Sequence, residues 1–257
     1  MADRQNTHLL YKNLGETPNH CILRFKKANP GYSDIPMTYA GRLDPMAEGL
    51  LLCLSGEAVH EKEKYLDLSK TYMARILWGF ETDTADLLGK VIKFESEKLK
   101  VIKEEIQEKL KNSIGKFEQS YPAYSSKPVQ GRPLFQWARE GRLSEIEIPR
   151  HMVEIFNAQF ISRKMISKEE LLKDIISKIS LVSGDFRQEE IIKSWNDTMS
   201  KCLFDSFTID TISITVSSGF YVRQFVSDLA EAFKIKAATF HIKRIKVGDL
   251  QIIEDGD

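Results

Sequence analysis

The chain has 257 residues, 42% hydrophobic and 29% charged, the composition of a folded globular protein rather than a disordered one. Lysine plus arginine and aspartate plus glutamate each total 37, so the net charge is zero. Any nucleic-acid footprint must then be a local patch, not a global field.

Cys21, Cys53 and Cys202 are odd in number and form no CxxC pair, which argues against a disulfide framework and a zinc site. The first eighteen residues hold no apolar signal core, and the longest apolar run, Leu50–Leu54, is strand-sized. A cytoplasmic protein with reduced thiols and no membrane span is expected, with Cys53 in the core.

Residues 8–14 read as a first strand. A turn at Gly15–Pro18 follows, and Asn19 is the expected cap of a helix reaching Ala28. A loop over 29–42 leads into the buried strand Leu50–Leu54, then a charged, exposed helix over 57–67. In 70–79, Tyr72, Ala74, Ile76 and Trp78 share one strand face, and Met73, Arg75 and Leu77 the other. Two largely apolar faces predict a central strand.

An amphipathic helix is expected over 101–114 and an irregular Pro-rich segment over 119–133. Next come a short helix at Leu134–Gly141 and a strand near 152–160. A helical excursion spans 165–200, followed by a strand (207–217), a loop at Ser217–Gly219, a helix (221–233) and a last strand (239–247). These elements predict an α+β domain with a mixed sheet and helices on its outside. Trp78, Trp137 and Trp195 are expected in the core, and the five histidines show no metal spacing.

The most informative segment is Gly41-Arg42-Leu43-Asp44-Pro45-Met46-Ala47-Glu48-Gly49-Leu50-Leu51-Leu52. Asp44 lies in a turn that feeds an apolar strand, and Pro45 fixes the backbone just after it. A rigid scaffold presents a carboxylate on a loop in this way. The dipeptide alone favours a plain Asp-Pro turn.

The segment resembles the catalytic motif of TruB-type pseudouridine synthases, and four further blocks in order strengthen the likeness. They are Lys70-Thr71-Tyr72 with Thr82-Asp83-Thr84 and Gly89; Tyr121–Gly131 with Trp137–Gly141; Gly219–Arg223 with Asp228-Leu229; and Ile242–Arg244 with Val247-Gly248. The resemblance implies the pseudouridine synthase fold, a mixed, mostly antiparallel sheet flanked by helices and loops, with no cofactor and no metal. It implies Asp44 as the essential carboxylate and Arg223 as its partner. Tyr72 would stack on the target base, with Tyr221 and Ile242 lining the uridine pocket and Lys127 contacting phosphate. On periodicity alone Tyr72 reads as core, and for Lys127 in its irregular segment a solvated loop lysine is as good a reading as a phosphate contact.

The implied activity is isomerisation of uridine to pseudouridine, with uridine 55 in the T-loop of tRNA as target and the T-arm as the bound element. Alternatives are another structured RNA, such as ribosomal RNA, or a non-catalytic RNA-binding or RNA-folding protein. Many bacterial members carry His where this chain has Tyr39, so a His role does not transfer; Tyr39 is expected to stack on or bond the RNA. A PUA-like domain often follows the last block in relatives. Here a single catalytic domain over 1–257 without one is expected, as a monomer. The basic stretch Lys234–Lys246 is a candidate phosphate patch, and the segment around Lys127 and Arg132 is another.

Overall fold

The computed structural model describes residues 6–95 and 102–251. Val101, where the helix expected over 101–114 begins, and residues 252–257 lie outside them. Strand β1 (Thr7–Lys12) leads to helix α1 (Pro18–Ala28). Thr17, not Asn19, caps α1: its hydroxyl accepts from the His20 amide, and Pro18 takes the first helical position, where its missing N–H costs nothing.

Strands β2 (Met37–Ala40) and β3 (Ala47–Ser55) bracket the Asp44 loop. The charged stretch after β3 is a short 3-10 turn (Gly56–Glu61) and helix α2 (Lys62–Leu66), shorter than the single helix expected over 57–67. Strands β4 (Lys70–Trp78), β5 (Phe80–Thr82) and β6 (Val91–Phe94) follow. Then come α3 (Lys103–Asn112), β7 (Gly115–Ser120), the small hairpin β8 (Pro128–Val129) and β9 (Arg132–Pro133), and α4 (Leu134–Arg139).

Strand β10 runs over Arg150–Ser167, much longer than expected, because it pairs with β7 at one end and with β11 along the rest. Helices α5 (Lys168–Ser180) and α6 (Gln188–Lys201) separate it from β11 (Ser206–Val216). Helix α7 (Val222–Ala232), β12 (Ala237–Val247) and β13 (Leu250–Gln251) complete the chain.

The main sheet runs β1-β3-β12-β4-β11-β10-β7, with β2 added on β3 and β13 on β12. Its one parallel pair is β3 with β12; the other pairs are antiparallel. β4 is central, as its two apolar faces require. On one face, Tyr72, Ala74, Ile76 and Trp78 pack against Val222, Phe225, Val226 and Leu229 of α7 and Ile106 and Leu110 of α3. On the other, Leu77 joins Leu171, Ile175 and Ile179 of α5 and Ile191, Trp195 and Met199 of α6. Trp78, Trp137 and Trp195 are buried, as are all three cysteines. No described helix is long and apolar enough to cross a membrane.

Candidate active site

Four anchors hold the loop between β2 and β3. The Ala47 amide donates to the Asp44 carbonyl (3.0 Å), closing a turn over Pro45. The Gly15 amide donates to the Pro45 carbonyl (2.9 Å). Lys12, fully buried at the end of β1, donates to the Ala47 carbonyl, and burial lowers its ammonium to about 8. Arg244 reaches from β12 to the carbonyls of Leu50 (2.6 Å) and Gly41 (3.1 Å).

This last contact takes Arg244 out of the expected phosphate patch. Side chains alternate along β12, so Arg244 points with Ile242 toward the site and is 1% exposed. Lys236 pairs with Glu81 (3.0 Å), and Arg132 pairs with Glu140 and lies over Trp137. Lys243 and Lys246 line the opposite, open side of the sheet with Arg75 and His241.

Asp44 is held on one oxygen. Arg223 Nε donates to its Oδ2 (2.7 Å), with the Asp44 side chain 30% exposed and that of Arg223 only 4%. Arg223 sits in the first turn of α7, where the helix dipole disfavours a cation. Acceptors compensate: the Thr84 carbonyl takes NH1 (2.7 Å), the Tyr124 carbonyl takes NH2 (3.5 Å), and Asp86 lies 3.5 Å from Nε. Burial alone would lower the guanidinium, but Asp44 and Asp86 offset it and hold it protonated.

Asp86 escapes the sequence reading. It is buried, and its Oδ1 accepts from Thr84 Oγ1 (2.7 Å) and the Leu88 amide (2.9 Å). Burial pushes its carboxyl up to about 6, against the pull of Arg223. The turn is tight at Gly89, where an added Cβ would meet Thr84 Oγ1 at 2.3 Å. That accounts for the Thr-Asp-Thr…Gly spacing.

Two cavities meet at Asp44. The smaller, about 260 Å³, is walled by Asp44, Tyr72, Tyr221, Ile242 and the Gly219 turn. The larger, about 610 Å³, opens on the other side past Arg223, Tyr124, Lys127 and Arg139. Arg42, Asp44 and Tyr221 border both. Buried Gln119, a second residue the sequence hid, clamps Tyr221: its Oε1 accepts from the Tyr221 amide (2.8 Å) and its Nε2 donates to the Tyr221 carbonyl (3.1 Å). Burial and the nearby Asp44 charge raise the Tyr221 phenol.

The cavities thus join Asp44, Tyr72, Lys127, Tyr221, Arg223 and Ile242. Tyr39 lies outside both walls. It sits on β2, its hydroxyl accepting from Arg42 NH2 (3.3 Å) and Lys62 lying over its ring. Lys127 Nζ is 4.9 Å from the Tyr121 ring centroid. No group of three or more metal-ligating side chains occurs among the described residues.

Residues 35–175 match the model for the TruB family pseudouridylate synthase N-terminal domain. The chain belongs to this TruB family. It is 29% identical to tRNA pseudouridine synthase B of Bordetella avium, over 95% of this chain and 81% of that protein. It is 28% identical to tRNA pseudouridine synthase 4 of Schizosaccharomyces pombe, over 93% of this chain and 70% of that one. Among solved structures, the fold is similar to a chain of a Cbf5-Nop10-Gar1 complex (TM-score 0.57, 13% identity). That likeness covers 96% of this chain and half of the solved one. A chain of an H/ACA RNP bound to a substrate RNA containing 2'-deoxyuridine is also similar (TM-score 0.54, 13% identity), with 48% of it covered. The TruB match thus includes the Asp44 loop, β4 and the Thr82–Asp86 turn, while α7 and Arg223 lie beyond its last residue.

Proposed function

We propose that this protein isomerises a uridine of tRNA to pseudouridine, with uridine 55 of the T-loop as target and Asp44 as the catalytic carboxylate. The supporting observation is an accessible carboxylate, tied by one oxygen to a buried arginine, at the junction of two cavities. The C1′–N1 bond breaks, the base turns and a C1′–C5 bond forms; C5 loses a proton and N1 gains one. No electrons are exchanged with a second reactant. Asp44 acts either as nucleophile at the sugar or as the base that removes a sugar proton.

Both roles need a charged Asp44 beside a fixed cation, the arrangement Arg223 supplies. The target base must leave its stack to reach Asp44. Tyr72 serves as its stacking ring and Tyr221 with Ile242 as pocket walls, while Lys127 meets the RNA backbone. A non-catalytic binder is disfavoured, because a carboxylate facing RNA phosphates weakens binding.

The test is carbodiimide labelling of bulk tRNA incubated with the protein, read by reverse-transcription stops. The expected result is one new stop at uridine 55. A stop elsewhere in tRNA would reassign the target, and no new stop would contradict the tRNA isomerase reading.

A further inference from the structure

The register Ser167↔Ser206 would let β10 and β11 close as a hairpin, yet residues 168–205 intervene and fold into α5 and α6. Nothing in the proposed chemistry uses this pair. Its connecting loop nevertheless reaches the active site by two routes. In the first, the Ser183 amide donates to the Gly15 carbonyl (3.1 Å), and the Gly15 amide to Pro45, the residue after Asp44. The approach is close: a Cβ on Gly15, at φ +84°, would meet the Leu181 carbonyl oxygen at 2.2 Å.

The second route runs through Arg187. Its NH1 donates to Asp83 Oδ2 (2.8 Å), and its guanidinium lies 4.8 Å from the centroid of the Tyr124 ring. The Tyr124 hydroxyl donates to the same Asp83 oxygen (3.1 Å), while Asp83 Oδ1 accepts from the Lys90 amide (2.9 Å). Arg187 therefore pins together two backbone segments, 82–86 and 122–127. These segments carry the Thr84 and Tyr124 carbonyls that receive Arg223.

Arg187 also adopts the left-handed conformation, φ 64°, which a bulky side chain adopts at a cost. The loop enforces it: Gln188 accepts from the Phe186 amide (2.8 Å) and donates to the carbonyls of Val182 (3.0 Å) and Gly184 (2.6 Å). A glycine would sit there without strain.

We propose that Arg187, brought in by the helix pair inserted between β10 and β11, is a positioning residue for the Asp44–Arg223 pair. It rests on the isomerase reading and adds to it. Arg187 also lines the larger cavity, and its proposed part is to position rather than to bind. It fixes the acceptors of Arg223, and through Arg223 the direction in which Asp44 points. The inserted helices become a brace for the catalytic geometry rather than an appendage.

The test uses the full chain with Arg187→Ala, Arg187→Gly, Arg187→Lys and Asp83→Asn, and Lys193→Ala at an exposed position of α6 as control. Single-turnover rate at saturating RNA, RNA affinity and melting temperature are read together. Expected for Arg187→Ala is a rate loss of about ten- to a hundredfold with affinity within about twofold. Arg187→Lys should recover part of the rate, and the Arg187→Ala and Asp83→Asn losses should not multiply in the double variant. Arg187→Gly should lose as much rate as Arg187→Ala yet melt no lower, because glycine accepts the backbone angle. Lys193→Ala should match the wild type.

A loss of affinity with unchanged rate would make Arg187 an RNA contact and overturn the proposal. So would a rate loss that tracks melting temperature across the variants. Amide hydrogen exchange at residues 82–88 and 123–127 supplies a readout independent of activity. Faster exchange in Arg187→Ala is expected even if the wild type modifies no RNA, and unchanged exchange would overturn the clamp itself.

Discussion

Two arginine–aspartate pairs in this molecule share the same contact, Nε to a carboxylate oxygen at 2.7 Å, and are built in opposite senses. In Arg163–Asp210, facing each other across β10 and β11, the carboxylate is fully buried. Both its oxygens are used: Arg163 takes Oδ1 through Nε and Oδ2 through NH2 (2.8 Å), and Trp78 Nε1 also donates to Oδ2 (2.7 Å). In Arg223–Asp44 the arginine is buried and each of its three nitrogens has an acceptor, while the carboxylate faces a cavity with one oxygen bound. A buried, fully bonded carboxylate can only hold the sheet. A carboxylate tethered by one oxygen at a cavity wall remains available for chemistry.

The sharpest way to break this contrast is to remove both arginine functions at once. Arg223→Ala leaves Asp44 and Asp86 together without their cation. We expect a loss of ~3–5 kcal/mol of folding stability, by urea titration, and turnover below detection. Asp210→Ala should cost ~3 kcal/mol, since Trp78 loses its acceptor, and leave the single-turnover rate of the folded fraction within about twofold. If Asp210→Ala slows the chemistry as much as it destabilises the fold, the division between the two pairs collapses.

Asp86 sharpens the comparison through pH. Its carboxyl titrates near 6 in the folded protein against an ordinary 3.8, so the folded state holds the proton more tightly than the unfolded chain. Stability from this group should therefore fall as pH rises through the window from ~4 to ~6, by roughly 3 kcal/mol. Urea midpoints across that window should decline in the wild type relative to Asp86→Asn, which lacks the titrating group. Parallel pH profiles would show that Asp86 is not the titrating group.

The smallest effect concerns Tyr72, where core and stacking roles compete: it is 8% exposed and packs in the main core, yet it walls the Asp44 cavity. Tyr72→Phe should keep most of the rate and Tyr72→Leu lose it by about ten- to a hundredfold, the worth of one base–ring stack. Equal rates for the two would leave only the core role.

The framework was legible because it follows from periodicity. The apolar run Leu50–Leu54 and the alternation in 70–79 mark β3 and β4, and the helical excursion expected over 165–200 holds α5 and α6. Asp44 and Arg223 are 179 residues apart in sequence, and only family likeness links them before the fold does. Asp86 drew no reading from the sequence and Gln119 fell in the segment expected to be irregular; neighbouring Leu87 and Leu88 drag the Asp86 turn inward. Arg244 could have been read correctly, since strand parity puts it two residues from Ile242 on the same face. Arg187 could not, because no local pattern tells where a loop between two surface helices folds back.

The most direct measurement is the single-turnover rate of uridine isomerisation by Asp44→Asn on a T-arm transcript, with its urea stability and RNA affinity measured alongside. Asn keeps the size of the side chain and removes its charge, while Asp86, Thr84 and Tyr124 still receive Arg223. A folded protein is expected, less than about 2 kcal/mol weaker, that binds RNA normally and does not turn it over. A variant keeping more than about a tenth of the wild-type rate would place no more than ~1.4 kcal/mol of the barrier on that charge and contradict the assignment of Asp44.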